Sequence, residues 1–126
     1  VRELKLPDPG SRPQRIADTP DNMVWYTDPA RGRIGRLDPG TGAVKEWQSP
    51  SGPGSAPYGL SAIGETLWYS ESGAAPNTVV RFDPGTEQFQ SWALPGGGRT
   101  IAVTNEGDLV LANSQADAVT LVKIGR

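Results

Sequence analysis

The sequence contains neither cysteine nor histidine. The first absence excludes disulfides, thiolate nucleophiles and thiolate metal sites. The second removes the one side chain whose ordinary pKa lies near neutrality, and with it every Ser-His-Asp or histidine-ligated hydrolase arrangement. No stretch approaches the roughly 18 apolar residues that a membrane-spanning helix needs, so a membrane is not an expected partner. A basic excess is missing too: 12 Lys and Arg face 14 Asp and Glu, for a net charge of −2. The two signs are interleaved along the chain, which leaves no basic face for a nucleic acid. The chain opens on Val1 without a charged n-region or apolar h-region. That reads as a removed signal or a trimmed chain, and leaves the compartment open between cytoplasm and export.

Glycine and proline are abundant, at 16 and 12 residues, against a hydrophobic share of 36%. Many turns between short strands follow. With 126 residues the chain has the size of one domain, which leaves about one third of its unfolded surface exposed.

The sequence repeats. Val24-Trp25-Tyr26-Thr27-Asp28 returns 43 residues later as Leu67-Trp68-Tyr69-Ser70-Glu71, and Leu109-Val110-Leu111-Ala112-Asn113 follows after 42 more. Downstream, Ile34-Gly35-Arg36-Leu37-Asp38-Pro39-Gly40-Thr41 matches Val79-Val80-Arg81-Phe82-Asp83-Pro84-Gly85-Thr86, and Leu121-Val122-Lys123-Ile124 opens a third copy. Within a unit the apolar residues alternate with period two, and no window carries a helical stripe. Four strands per unit are expected: the first at 16–18, 59–62 and 101–104, the second at the Trp-Tyr segments, the third at Arg-Leu-Asp or Arg-Phe-Asp, and the fourth at 44–48 and 89–93. Asp-Pro-Gly-Thr fits the turn between strands three and four, with Pro fixing φ and Gly accepting a positive φ.

A four-strand unit of about 43 residues is the period of a β-propeller blade. A β-sandwich does not explain why one strand sequence returns at fixed spacing. The expected fold is therefore all-β, with blades of four antiparallel strands and three blades per chain, at about 8–50, 51–95 and 96–126. The opening Val1-Arg2-Glu3-Leu4-Lys5-Leu6-Pro7 aligns with Val44-Lys45-Glu46-Trp47-Gln48-Ser49-Pro50 and with Phe89-Gln90-Ser91-Trp92-Ala93-Leu94-Pro95. Residues 1–7 thus read as a further strand four, able to complete the last blade and protect its edge. Three blades in an arc leave two apolar faces open. A homodimer closing a six-bladed ring by strand exchange is the expected assembly, since closed propellers have about 4 to 8 blades.

Pro57-Tyr58-Gly59-Leu60, Leu67-Trp68-Tyr69-Ser70-Glu71 and Ile34-Gly35-Arg36-Leu37 resemble the blade pattern of the streptogramin B (virginiamycin B) lyases and their relatives. These are blade-building residues, and they extend over all three repeats. The resemblance implies a propeller. In the enzymes it implies an elimination that linearises a cyclic depsipeptide antibiotic, using Mg²⁺, histidine at the Pro-His-Gly position and glutamate near a central funnel. The histidine positions here hold Gln14, Tyr58 and Arg99, and the glutamate positions hold Asp28, Glu71 and Asn113. Glu71 alone matches, which makes it the one catalytic candidate.

Each funnel candidate has a structural reading beside its functional one. Tyr58 either packs on the inner strand or stacks on a ligand. Asp28 and Glu71 are solvated turn acceptors, or metal ligands for Mg²⁺ or Ca²⁺. Arg15 and Arg99 pair with those carboxylates or recognise an anionic ligand bidentately. Trp25, Trp47, Trp68 and Trp92 read as core between blades, in preference to a sugar-binding rim. Pro95-Gly96-Gly97-Gly98-Arg99 leads into a strand without the Lys-Ser/Thr of a phosphate loop, so it reads as a plain connection. Without histidine the expected function is a non-catalytic scaffold that requires no cofactor and binds a small molecule or peptide. The alternatives are a Mg²⁺-dependent lyase and a structural propeller module.

Overall fold

The structure, a computed structural model, describes residues 2–94, 98, 100–113 and 118–124. Eleven strands occur among them, in three antiparallel sheets. The first sheet is β1 (Ile16–Asp18), β2 (Val24–Asp28), β3 (Arg33–Leu37) and β4 (Val44–Gln48), hydrogen-bonded in that order. The second is β5 (Pro57–Ile63), β6 (Thr66–Glu71), β7 (Asn77–Asp83) and β8 (Gln88–Leu94). The third has three strands, β9 (Thr100–Val103), β10 (Leu109–Asn113) and β11 (Ala118–Val122). The first strand of each sheet lies beside the first strand of the next, β1 against β5 and β5 against β9. This is the arrangement of propeller blades, with the leading strands innermost.

Alternation along the strands assigns each sheet two faces. One face of the first sheet presents Trp25 and Ile34 to Leu60, Leu67, Tyr69, Val80 and Phe82 of the second. The opposite face of the second sheet presents Trp68 and Val79 to Ile101, Leu109 and Leu111 of the third. Both tryptophan pairs stack within their own sheet: Trp25 on Trp47 with centroids 5.5 Å apart, and Trp68 on Trp92 at 5.6 Å. Trp47 also meets Phe82 of the next sheet at 5.0 Å, and Phe82 meets Phe89 at 4.6 Å. Such ring pairs contribute about 1 kcal/mol each beyond the area they bury.

Two turns show how unlike residues reach one geometry. The Asp38 and Asp83 carboxylates accept from Gly40 N and Gly85 N, at 2.8 and 2.9 Å. The positive φ falls later than the Asp-Pro-Gly-Thr pattern implies, on Gly42 (79°) and Glu87 (57°). Each of these residues returns its N–H to the carbonyl of the opening Asp at 2.7 Å. The aspartate side chain already closes the first half of the turn, so the left-handed residue is needed only where the chain re-enters strand four.

Residues 2–7 form no strand within the chain. Arg2 Nη2 reaches the Pro39 carbonyl at 2.9 Å, which holds this segment beside the first sheet.

Candidate functional site

The start of each innermost strand and the end of the following one meet at one end of each sheet, where Pro57 pairs with Glu71. Topology therefore gathers Gln14, Arg15, Asp28, Tyr58 and Glu71 at that end, but their side chains separate into two layers. Asn113 ends β10 opposite Ala118, and its side chain, like the whole of Arg99, lies outside the described residues.

The buried layer is carboxylate. Glu71 has no exposed surface. Its Oε1 accepts from Ser51 Oγ at 2.7 Å and Thr78 Oγ1 at 2.6 Å, and its Oε2 accepts from Ser51 N at 3.0 Å and from Ser49 Oγ. An ionised carboxylate has about four lone-pair sites, and all four are taken. Burial raises the pKa of Glu71, but the three hydroxyls and one amide outweigh it and hold the group below its ordinary value. Since Ser49 donates its only hydroxyl proton to Glu71, the 2.7 Å contact with Tyr69 must have the phenol as donor. Burial and the neighbouring carboxylate push that phenol upward. Ser49 and Ser51 follow β4, so Glu71 fastens the connection from the first sheet onto the second.

Asp28 has the corresponding role in the preceding repeat, with a different partner. Fully buried, it accepts from Arg12 N at 3.1 Å and from Arg31 Nε at 2.9 Å. Arg31 reaches Asp8 at 3.0 Å through Nη1 and Glu46 through Nη2, so one guanidinium gathers three carboxylates. Its pKa rises, first through the bond to Glu46. Glu46 also accepts from Tyr26 Oη at 2.7 Å. Sequence reading missed Arg31, and only a separation of three from Asp28 hinted at it. Both oxygens of each carboxylate already serve protein donors, and among the described residues no three acidic groups cluster as metal ligands.

The exposed layer is different. The Arg15 guanidinium lies over the Tyr58 ring, 4.5 Å from its centroid. Arg15 is exposed and Tyr58 half-buried. Two backbone bonds of 3.0 Å, Gln14 N to Thr27 O and Thr27 N to Arg15 O, carry β1 past its formal start. Thr27 Oγ1 donates to the Tyr58 carbonyl at 2.8 Å and joins the two sheets at this point. Arg15 Nη1 donates to the Gln14 carbonyl at 3.2 Å, while the amide of the exposed Gln14 side chain donates to Arg12 O at 3.4 Å. Arg15 therefore turns to an aromatic face, while Arg31 serves the carboxylates.

Comparison with solved structures places this geometry in a known fold. A streptogramin B lyase structure matches 94% of the chain at 24% identity with a TM-score of 0.81. The virginiamycin B lyase of Staphylococcus aureus, solved as a catalytically inactive variant with quinupristin, matches 96% at 22% identity and a TM-score of 0.79. The chain spans 39% and 44% of those two proteins. A computationally designed protein matches over 99% of both chains, at 17% identity and a TM-score of 0.51. No protein-family model and no curated protein matches the chain. The likeness to the lyase structures is one of fold.

Proposed function

We propose that the chain is a non-catalytic propeller segment that binds a small molecule or peptide where Arg15 lies over Tyr58, next to Gln14 on the same strand end. The observation carrying this reading is the Arg15 guanidinium stacked on Tyr58 across the first and second sheets. A planar cation on an aromatic ring offers N–H donors and a flat apolar surface side by side. That suits a ligand joining a carboxylate or amide carbonyl to an aromatic group. The carboxylates at the same end do not supply a base. Glu71 is held ionised by four donors, and a proton acceptor needs a free lone pair and a pKa nearer the working pH. The binding needs no metal ion.

The test uses a thermal-shift panel of aromatic carboxylates and short aromatic peptides, together with quinupristin and Mg²⁺ followed by mass spectrometry. A panel member should raise the melting temperature by mass action, and Arg15→Ala and Tyr58→Ala should each abolish the rise. The streptogramin should be recovered intact. A linearised product, or a shift that survives both substitutions, overturns the reading.

A further inference from the structure

Among the described residues, two of the three sheets have a fourth strand and the third sheet has three strands. The sequence that fills this place, as β4 and β8, occurs a third time at residues 1–7, with Leu4 standing where Trp47 and Trp92 stand. Within the chain residues 2–7 form no strand. They lie beside the first sheet, and the second sheet stands between the first and the third.

A groove and exposed apolar residues accompany the three-stranded sheet. A groove of about 500 Å³ opens beside Trp92, lined by Trp68, Val79, Leu94, Val122 and Ile124. At the equivalent junction between the first and second sheets, Phe89 of strand four packs against the core there. Among the described residues the third sheet has no counterpart of Phe89, and Trp92 is 46% exposed. Val119 and Leu121 on β11 are 70% and 52% exposed, whereas Ile34 and Val79, the equivalents of Val119, are each 1% exposed. At the other end of the arc Ile16 is 71% exposed, and its equivalent Leu60 is 7% exposed.

We infer that residues 2–7 of one copy add to the third sheet of a second copy as its fourth strand, antiparallel to β11. The register follows from the two filled sheets, where Trp47 faces Ile34 and Trp92 faces Val79. It sets Leu4 opposite Val119, Glu3 opposite Thr120 and Arg2 opposite Leu121. The apolar face carrying Val119 and Leu121 then meets the partner's first sheet at Ile16. The same contact made reciprocally closes two copies into six sheets, within the roughly 4 to 8 blades of closed propellers. This interface is independent of the ligand reading.

The absence of cysteine makes the test specific. Leu4→Cys and Val119→Cys sit at partly or fully exposed positions, so each variant should keep the wild-type circular dichroism spectrum. Wild type should sediment at twice the chain mass of 13.4 kDa. The two single variants, mixed and oxidised, should give a disulfide-linked two-chain species that neither gives alone. In the double variant the disulfide should again join chains. A monomeric wild type, a disulfide closing within one chain, or no disulfide in the mixture overturns the inference.

Discussion

The second sheet and the third are built on the same repeat, yet the second is covered on both faces and the third on one. In the second, Leu67, Tyr69, Val80 and Phe82 fill one side and Trp68 and Val79 the other. In the third, Leu109 and Leu111 are fully buried while Val119 and Leu121, two strand positions apart on β11, face solvent. A blade is thus a two-faced unit whose stability comes largely from its neighbours, as in other repeat architectures. The first sheet differs from the second on the equivalent face. Tyr26 folds down over Gly35, which has room for no side chain: a Cβ there would lie 2.0 Å from the ring. In the second sheet the matching pair is Tyr69 and Val80, and both are covered by the first sheet.

Substituting equivalent positions breaks this comparison most sharply. Val79→Asp should place an unpaired carboxylate in a dry interface and cost more than about 4 kcal/mol, enough to abolish the cooperative urea transition. Val119→Asp should leave a folded chain with native circular dichroism and no self-association. Equal damage from both would mean that the two faces are not distinguished as described.

Glu71→Gln should rank next, at about 3 kcal/mol, because an amide group cannot accept from two of the four donors. The effect depends on pH with a definite sign. The folded state holds Glu71 below its ordinary value of 4.5, so its stabilisation is complete above pH 4.5 and is lost as pH falls through the lower folded value. The gap in melting temperature between wild type and Glu71→Gln should therefore be widest near neutrality and close on acidification below 4.5. A gap independent of pH would mean that the hydroxyls do not hold an ionised carboxylate.

Gly35→Ala sharpens the contrast between the first and second sheets. Burial and the bond to Glu46 push the Tyr26 phenol upward, so displacing it should cost about 2 kcal/mol, lower the denaturation midpoint and bring its titration nearer the ordinary range. Smallest of all, Arg15→Ala should change stability by less than about 1 kcal/mol, since a solvent-exposed cation over an aromatic ring contributes no more than that. A larger loss would make Arg15 a structural residue and weaken its assignment to ligand recognition.

The architecture was legible because it rests on local periodicity. β1 (Ile16–Asp18) and β4 (Val44–Gln48) begin and end where alternation and turn residues place them, and Trp25 and Trp68 lie in the cores between sheets. Trp92 shares their spacing and still stands half open, because spacing cannot tell whether a neighbour is present to cover it. The positive φ escaped the Asp-Pro-Gly-Thr pattern because the Glu87 turn carries no glycine at the position that needs it. Glu71 was identified by its place in the repeat. Its donors come from the 49–51 connection and from β7, and no short motif links those segments. The stack of Arg15 on Tyr58 joins residues one repeat apart, and only the packing of two sheets brings them together.

The link from Thr27 to Tyr58 bears on which residues can be substituted. Thr27 Oγ1 binds the carbonyl oxygen of residue 58, an atom that every amino acid supplies, and Gln14 and Arg15 extend β1 through their backbones alone. The three side chains at this end can therefore be exchanged without disturbing the joint they sit on, while Glu71 and Asp28 beneath them cannot. Substitution at the exposed layer leaves the joint intact, whereas the buried layer beneath it tolerates none without loss of donors to Glu71 and Asp28.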